Sequence, residues 1–350
     1  MADVTRETLR ERDGQVGGGR AETSHHPRTD PERDDKDYYG IPPIKKAHWT
    51  WEIPIYFWIG GLTAGTHLFS TVAQLLGHED KALVRTSRYS VLVFMLLSPI
   101  LLISDLGRPE RFYNMLRIVK LRSPMNTQSW ALTIFGQLSG LIAAKQAAED
   151  GLLGHNFLSR LLITLIPARL LAIVALPFAL YIGANTGILI SATSVPIWAR
   201  NWLLNGPTFL SSGVSTALSF LSFVLHLGHW GQAKTLRVLR RAERIVILIE
   251  AALIAASMIR MGRWGKPLRS KEIAPLYFGG ALLGGVVAPL ALLFGRETRN
   301  KSLLTSTLVL LGGLAFRFSI ILAGRKSADD PEAYFTFAKK EIAPEPGDSV

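Results

Sequence analysis

The sequence predicts an all-α fold, a polytopic membrane helical bundle of about eight transmembrane helices, and three observations carry that expectation. Eight separate stretches are long and predominantly apolar; a helix rising about 1.5 Å per residue needs about 20 residues to cross a hydrocarbon core of about 30 Å. Pro and Gly recur inside several of them, which bundled membrane helices tolerate and soluble helices do not. The net charge of +12 is uneven: residues 1–50 hold 9 Lys/Arg and 10 Asp/Glu, leaving 30 against 17 in the remainder. That excess is what membrane-flanking segments carry, so it needs no nucleic-acid partner.

Residues 1–37 lack any apolar run, contain Gly17-Gly18-Gly19 and His25-His26, and read as a disordered polar N-terminal tail. No basic, apolar and cleavage regions follow one another there, so no cleaved signal peptide is expected. Order is expected to begin near Tyr38-Tyr39-Gly40-Ile41-Pro42-Pro43, with the bundle over 38–325 and a C-terminal tail over 326–350. The first span (54–76) follows His48-Trp49-Thr50-Trp51-Glu52 and contains Gly60-Gly61-Leu62-Thr63-Ala64-Gly65, small residues that let backbones approach closely. The second (89–106) ends in Asp105-Leu106-Gly107-Arg108-Pro109, where Pro109 stops the helix and Gly107 permits the turn. The third covers 129–148. The fourth (165–191) carries Arg169 just after Pro167, and the fifth (209–227) ends at His226 and His229. A basic loop of Lys234, Arg237, Arg240, Arg241 and Arg244, suited to anionic headgroups, leads to the sixth (245–261) with Glu250. The seventh (276–294) has Gly279-Gly280 and Gly284-Gly285; the eighth (303–324) has Gly312-Gly313 and Arg317. Lys/Arg on the two sides are too evenly matched for the positive-inside rule to orient the protein.

With no cysteine, the sequence itself supplies no disulfide, thiolate metal site or cysteine-ligated cluster. A haem held in a bundle wants two facing histidines of equal depth. His67 is mid-span, whereas His226 and His229 are terminal, so no haem and no other metal site is expected. Ionisable groups inside a span are costly and mark function by default. Glu52 and Tyr56, four apart, share one helix face at the start of span one, and an acid above a phenol suits proton exchange with a polar-headed, apolar-tailed ligand. Asp105 sits at the lipid boundary, where Arg108 and Arg111 are expected to keep it ionised. Asp105 and Glu52 are the candidate catalytic carboxylates. Glu250 and Arg317 read either as a buried structural pair or as a proton route, and the competing functions are a membrane transporter using them and a haem b-type cytochrome subunit. No inverted repeat or paired broken helices favour that transporter.

Taken together these segments resemble the NrfD/PsrC family, the membrane subunits of polysulfide-reductase-like respiratory oxidoreductases. The resemblance runs from about Tyr38 to Phe337. It rests on Trp51 through Gly65, Asp105 through Phe112, Ser123-Pro124-Met125 with Ser129-Trp130, Thr186-Gly187 through Trp198, Ser211-Ser212-Gly213, and Arg317 with Ala323-Gly324. It implies a bundle without haem in the prokaryotic cytoplasmic (inner) membrane that binds menaquinone or ubiquinone near one face. It also implies a ferredoxin-like iron–sulfur partner there and a catalytic, molybdopterin-type subunit beyond it. By the family pattern the pocket involves Glu52, Tyr56 and Asp105, with His67 and Arg108 as further cofactor-binding candidates. Family members carry Tyr before the Thr-Gly of span four; this sequence has Asn185 there and Tyr181 one turn earlier, so both are candidates for the quinone carbonyl. The expected function is electron exchange between quinone and the cluster-bearing partner, with protons moving through Asp105 or Glu52.

Overall fold

A computed structural model describes residues 44, 47–78, 80–295, 298–331 and 333–335. The expectations made for residues 1–37, for Tyr38–Pro43 and for the sequence after 335 lie outside these residues. Among the described residues, eight long helices follow one another: α1 (Glu52–Leu75), α2 (Lys81–Ser104), α3 (Pro124–Glu149), α4 (Ala168–Ser191), α5 (Trp202–Leu227), α6 (Ala233–Met261), α7 (Pro275–Leu293) and α8 (Arg299–Ser327). Short links between them make successive helices antiparallel. The starts of odd helices and the ends of even ones therefore share one face of the bundle, called here the Asp105 face.

Several helix ends are closed by a group the local sequence provides. Asp80 accepts from the Ala82 N–H at 2.9 Å and starts α2; Ser123 caps α3 ahead of Pro124, whose missing N–H is no loss at a first turn; Thr298 caps α8. On the opposite face, arginines satisfy carbonyls left over at helix C-termini. Arg169 donates to Gln74 O (3.2 Å) at the end of α1, Arg299 to His226 O (3.1 Å) at the end of α5, and Arg240 to Leu293 O (2.9 Å) at the end of α7.

Helices α1 and α5 form the centre. Helix α1 packs on α2, α4, α5 and α8, and 16 of its 24 residues are buried. Its glycines allow this. A Cβ on Gly61 would lie 3.0 Å from Gly213 Cα, and one on Gly65 would lie 2.6 Å from Ala217 Cβ, so the two backbones are nearly in contact. Over Pro275–Val287 helix α7 winds in wide turns, with hydrogen bonds spanning five residues. Gly280 and Gly285, five apart, accordingly both face α8, against Ala315 and Gly312.

The bundle of about eight membrane helices is as expected; six of them are by themselves long and apolar enough to cross a membrane, while α1 and α3 are more polar. The reason is their place: α1 turns Thr63, Thr66, His67, Ser70 and Thr71 into protein, and α3 does the same with Gln128, Ser139 and Gln146. Their lengths of 24 and 26 residues still match the bundle. Helix α6 begins at Ala233, so Lys234 to Arg244 form its first turns and are no loop. Helix α4 begins only at Ala168, because the helical path breaks at Ile166-Pro167 after a separate short helix, Phe157–Leu165. Arg169 is therefore exposed at the boundary and not inside a span.

Candidate functional site

Two groups of polar side chains adjoin on the Asp105 face. The outer group gathers the approach to α1 and the end of α2. The Thr50 N–H donates to the Asp105 carboxylate, and Glu52 and His48 lie close enough to act on its charge. Thr50 also hydrogen-bonds Glu52 through its hydroxyl. Burial pushes the Asp105 carboxyl above the ordinary aspartate range; the Thr50 N–H pulls it back, Glu52 raises it and His48 lowers it. The expectation that Arg108 and Arg111 hold Asp105 ionised is not met. After Gly107 the backbone winds into a tight 3-10 stretch, Pro109–Leu116, with no buried residue, and both arginines are exposed. Arg108 thus takes no part in the cluster around Asp105.

One turn deeper, where α1, α3 and α4 meet, lies the inner group. Tyr56, only 1% exposed, accepts a hydrogen bond from Gln128 Nε2 at 2.6 Å. The Tyr181 and Thr127 hydroxyls are 2.5 Å apart. Asn185, also 1% exposed, points Nδ2 at the Pro124 carbonyl (3.4 Å). Two acceptors are left over: Gln128 Oε1 and Asn185 Oδ1 are buried with no hydrogen-bond partner. An acceptor buried without a donor costs about 1–3 kcal/mol, so such groups in a folded protein call for an explanation. The structure therefore brings Glu52 and Asp105 together above Tyr56, Tyr181 and Asn185. It adds Gln128 and Thr127, which sequence reasoning misses. The stretch from Ser123 to Trp130 stands out in the sequence, but nothing in it distinguishes Gln128 from a surface glutamine until α3 is laid against α1.

His67 does not belong here. It lies 11 residues along α1 from Tyr56, about 16 Å at 1.5 Å per residue. Its Nε2 pairs with the Ala172 carbonyl at 3.0 Å and its ring sits edge-on to Phe135. It lines a small polar cavity with Ser70, Thr71, Ser87 and Arg88 on the opposite half of the bundle. The aromatic residues before α1 also serve packing. Trp49 stacks on Trp198 with centroids 5.5 Å apart, while Trp51 is exposed. Trp198 is buried against α8 and donates to Ile320 O at 3.0 Å.

Glu250 and Arg317 form a separate buried cluster among α5, α6 and α8. Ser215 donates to Glu250 at 2.5 Å. Arg317 donates to Ser212 Oγ at 2.6 Å and to Gly313 O at 2.9 Å. Ser212 thus neighbours both groups, and the charges of Glu250 and Arg317 lie close enough to act on each other. The phenyl rings of Phe209 and Phe316 flank the guanidinium at 5.8 Å each.

A multi-pass helical bundle with a polar junction near one face defines an integral membrane protein. Among the described residues no group of His, Asp and Glu is arranged to hold a metal ion. Comparison with known proteins makes this more specific. The sequence profile described as "Polysulphide reductase, NrfD" matches residues 43–327. The C subunit of polysulfide reductase from Wolinella succinogenes is 28% identical over 306 residues, covering 79% of the present sequence and 94% of that protein. The protein belongs to the NrfD family of polysulfide-reductase membrane proteins, and is a multi-pass membrane subunit of a respiratory oxidoreductase.

Proposed function

We propose that this protein is the quinone-binding subunit of its complex, exchanging electrons between quinone or quinol and an iron–sulfur partner with coupled proton transfer. The carrying observation is the buried junction of Tyr56, Gln128, Tyr181 and Asn185 directly beneath Asp105 and Glu52. Its donor and acceptor set fits a menaquinone or ubiquinone head: phenol hydroxyls can donate to a carbonyl, and the unpaired amide oxygens can accept from a hydroxyl. When bound, the quinone supplies two-electron, two-proton redox chemistry. The protein's part is to orient the head and to handle protons. Asp105, whose carboxyl is held above the usual carboxylate range by burial, lies next to Glu52 and is suited to take up and release a proton.

The electron partner fits the same face. With no cysteine in the sequence, clusters are expected in a second, ferredoxin-like subunit and a molybdopterin-type centre in a third. The segment after Asp105 presents Arg108, Arg111, Arg117 and Lys120 together with exposed Phe112, Tyr113 and Ile118, a basic and aromatic surface of the kind partners use. The relative named above is itself one subunit of a polysulfide reductase.

The reading is tested on the complex purified from native membranes. Tyr56→Phe is expected to raise the KM for a short-tailed quinol about tenfold, about 1.4 kcal/mol, while the partner's activity with an artificial electron donor stays unchanged. An unaltered KM in both Tyr56→Phe and Asp105→Asn overturns it.

A further inference from the structure

We propose that Gln128 and Asn185 form an acceptor pair that gives the site a preference for the hydroquinone form of its ligand over the quinone form. This rests on the quinone reading above and adds to it which redox form the site favours, and through which atoms.

The two forms differ in hydrogen-bonding sense. A quinone oxygen only accepts, whereas a hydroquinone oxygen also carries a proton to donate. Asn185 is oriented by its neighbour, and Gln128 stands as its hydrogen bond to Tyr56 places it. Asn185 turns its nitrogen to the Pro124 carbonyl, which can only accept, so Oδ1 is the free end. Gln128 turns its nitrogen to the Tyr56 oxygen, so Oε1 is the free end. Pro124 and Gln128 are one turn apart on α3, which puts both amides at the same α1–α3–α4 junction. Both oxygens are shut off from solvent and lack a donor in the protein. A hydroquinone hydroxyl supplies that donor; a quinone carbonyl would set oxygen against oxygen.

Tyr56 plays a different part. Because its oxygen already accepts from Gln128, its own hydrogen remains available to donate, and it can serve either redox form. The arrangement is not explained by packing alone, since leucine would fill either amide's volume without leaving an unpaired oxygen.

The experiment measures equilibrium binding by tryptophan fluorescence quenching on the purified complex, anaerobically, with a short-tailed menaquinone analogue and separately with its dithionite-reduced form. The wild-type complex is expected to bind the reduced form about tenfold tighter, the effect of about one well-made hydrogen bond. Asn185→Leu and Gln128→Leu should each abolish that ratio by weakening the reduced form about tenfold while moving the oxidised form less than about twofold. Tyr56→Phe should weaken both. Equal wild-type affinity for the two forms overturns the proposal and needs no variant, so a leucine variant that fails to assemble leaves the test intact. Equal weakening of both forms in both leucine variants overturns it too, while leaving the quinone site standing. Absence of binding of either form to the wild-type complex overturns the quinone reading itself.

Discussion

Replacing Arg317 with leucine removes a guanidinium that is fully buried and holds three elements together. It donates to Ser212 on α5 and to Gly313 in its own helix, and its Nη2 lies within 3.1 Å of where a Cβ on Gly61 of α1 would stand. The larger loss is electrostatic. Glu250, 4% exposed, keeps its bond from Ser215 but loses the nearby positive charge of Arg317. Removing one partner of a buried charge pair costs about 3–5 kcal/mol, because the other charge is left uncompensated. The double variant Glu250→Gln with Arg317→Leu removes both charges and leaves Ser212 and Ser215 a neutral amide to bond. It should recover most of that loss, giving a coupling of about 2 kcal/mol or more in a double-mutant cycle. The assay is thermal unfolding of the detergent-purified complex at one fixed scan rate, with the amount assembled in membranes measured in parallel. A single variant as stable as wild type, or a double variant as unstable as the single, would refute the reasoning and reopen a solute- or proton-carrying role for the pair.

Asp105→Asn should lower quinone-coupled turnover per assembled complex about tenfold, about 1.4 kcal/mol of barrier, without lowering assembly; normal turnover would remove Asp105 from proton transfer. Its raised pKa also has a consequence for stability. The folded protein keeps a proton that the unfolded one has already lost, so stability falls as pH rises through the unfolded value of about 3.9 toward the folded one, and the penalty is complete above it. Asp105→Asn should therefore be no less heat-stable than wild type at neutral pH, and less pH-sensitive; a lower unfolding temperature at neutral pH would contradict this. Gly65→Ala places a Cβ 2.6 Å from Ala217 Cβ and 2.8 Å from the Gly213 carbonyl oxygen, where only backbone movement can relieve it. A loss of about 1–3 kcal/mol or more is expected from such overpacking, read as reduced assembly, whereas Gly140→Ala, with no atom nearby, should be neutral.

Much of the bundle is legible without coordinates because span length and apolar content answer to one solvent, the bilayer core. Prolines and charges mark several turns between spans: Pro109 after α2 and Pro167 before α4 sit where the helices stop or start. The errors share a cause. Hydropathy reads each segment as if it faced lipid, and so it trims α6, whose first turns are basic, and scores low on α1, whose polar side chains face protein.

The all-helical membrane fold, the close-packing glycines of α1 and the nearness of Glu52, Tyr56 and Asp105 to one face are legible in the residues alone. Those are properties of local pattern and helix period. What each group meets depends on how the helices pack. That packing set Asp105 against Thr50, Glu52 and His48 instead of the arginines next to it in sequence. It joined Gln128 of α3 to Tyr56 of α1 across 72 residues, and linked Arg317 to Ser212 across 105. Partners so distant in sequence are brought together by helix packing, and hydrogen bonding and pKa follow from those partners, which no local pattern of residues contains.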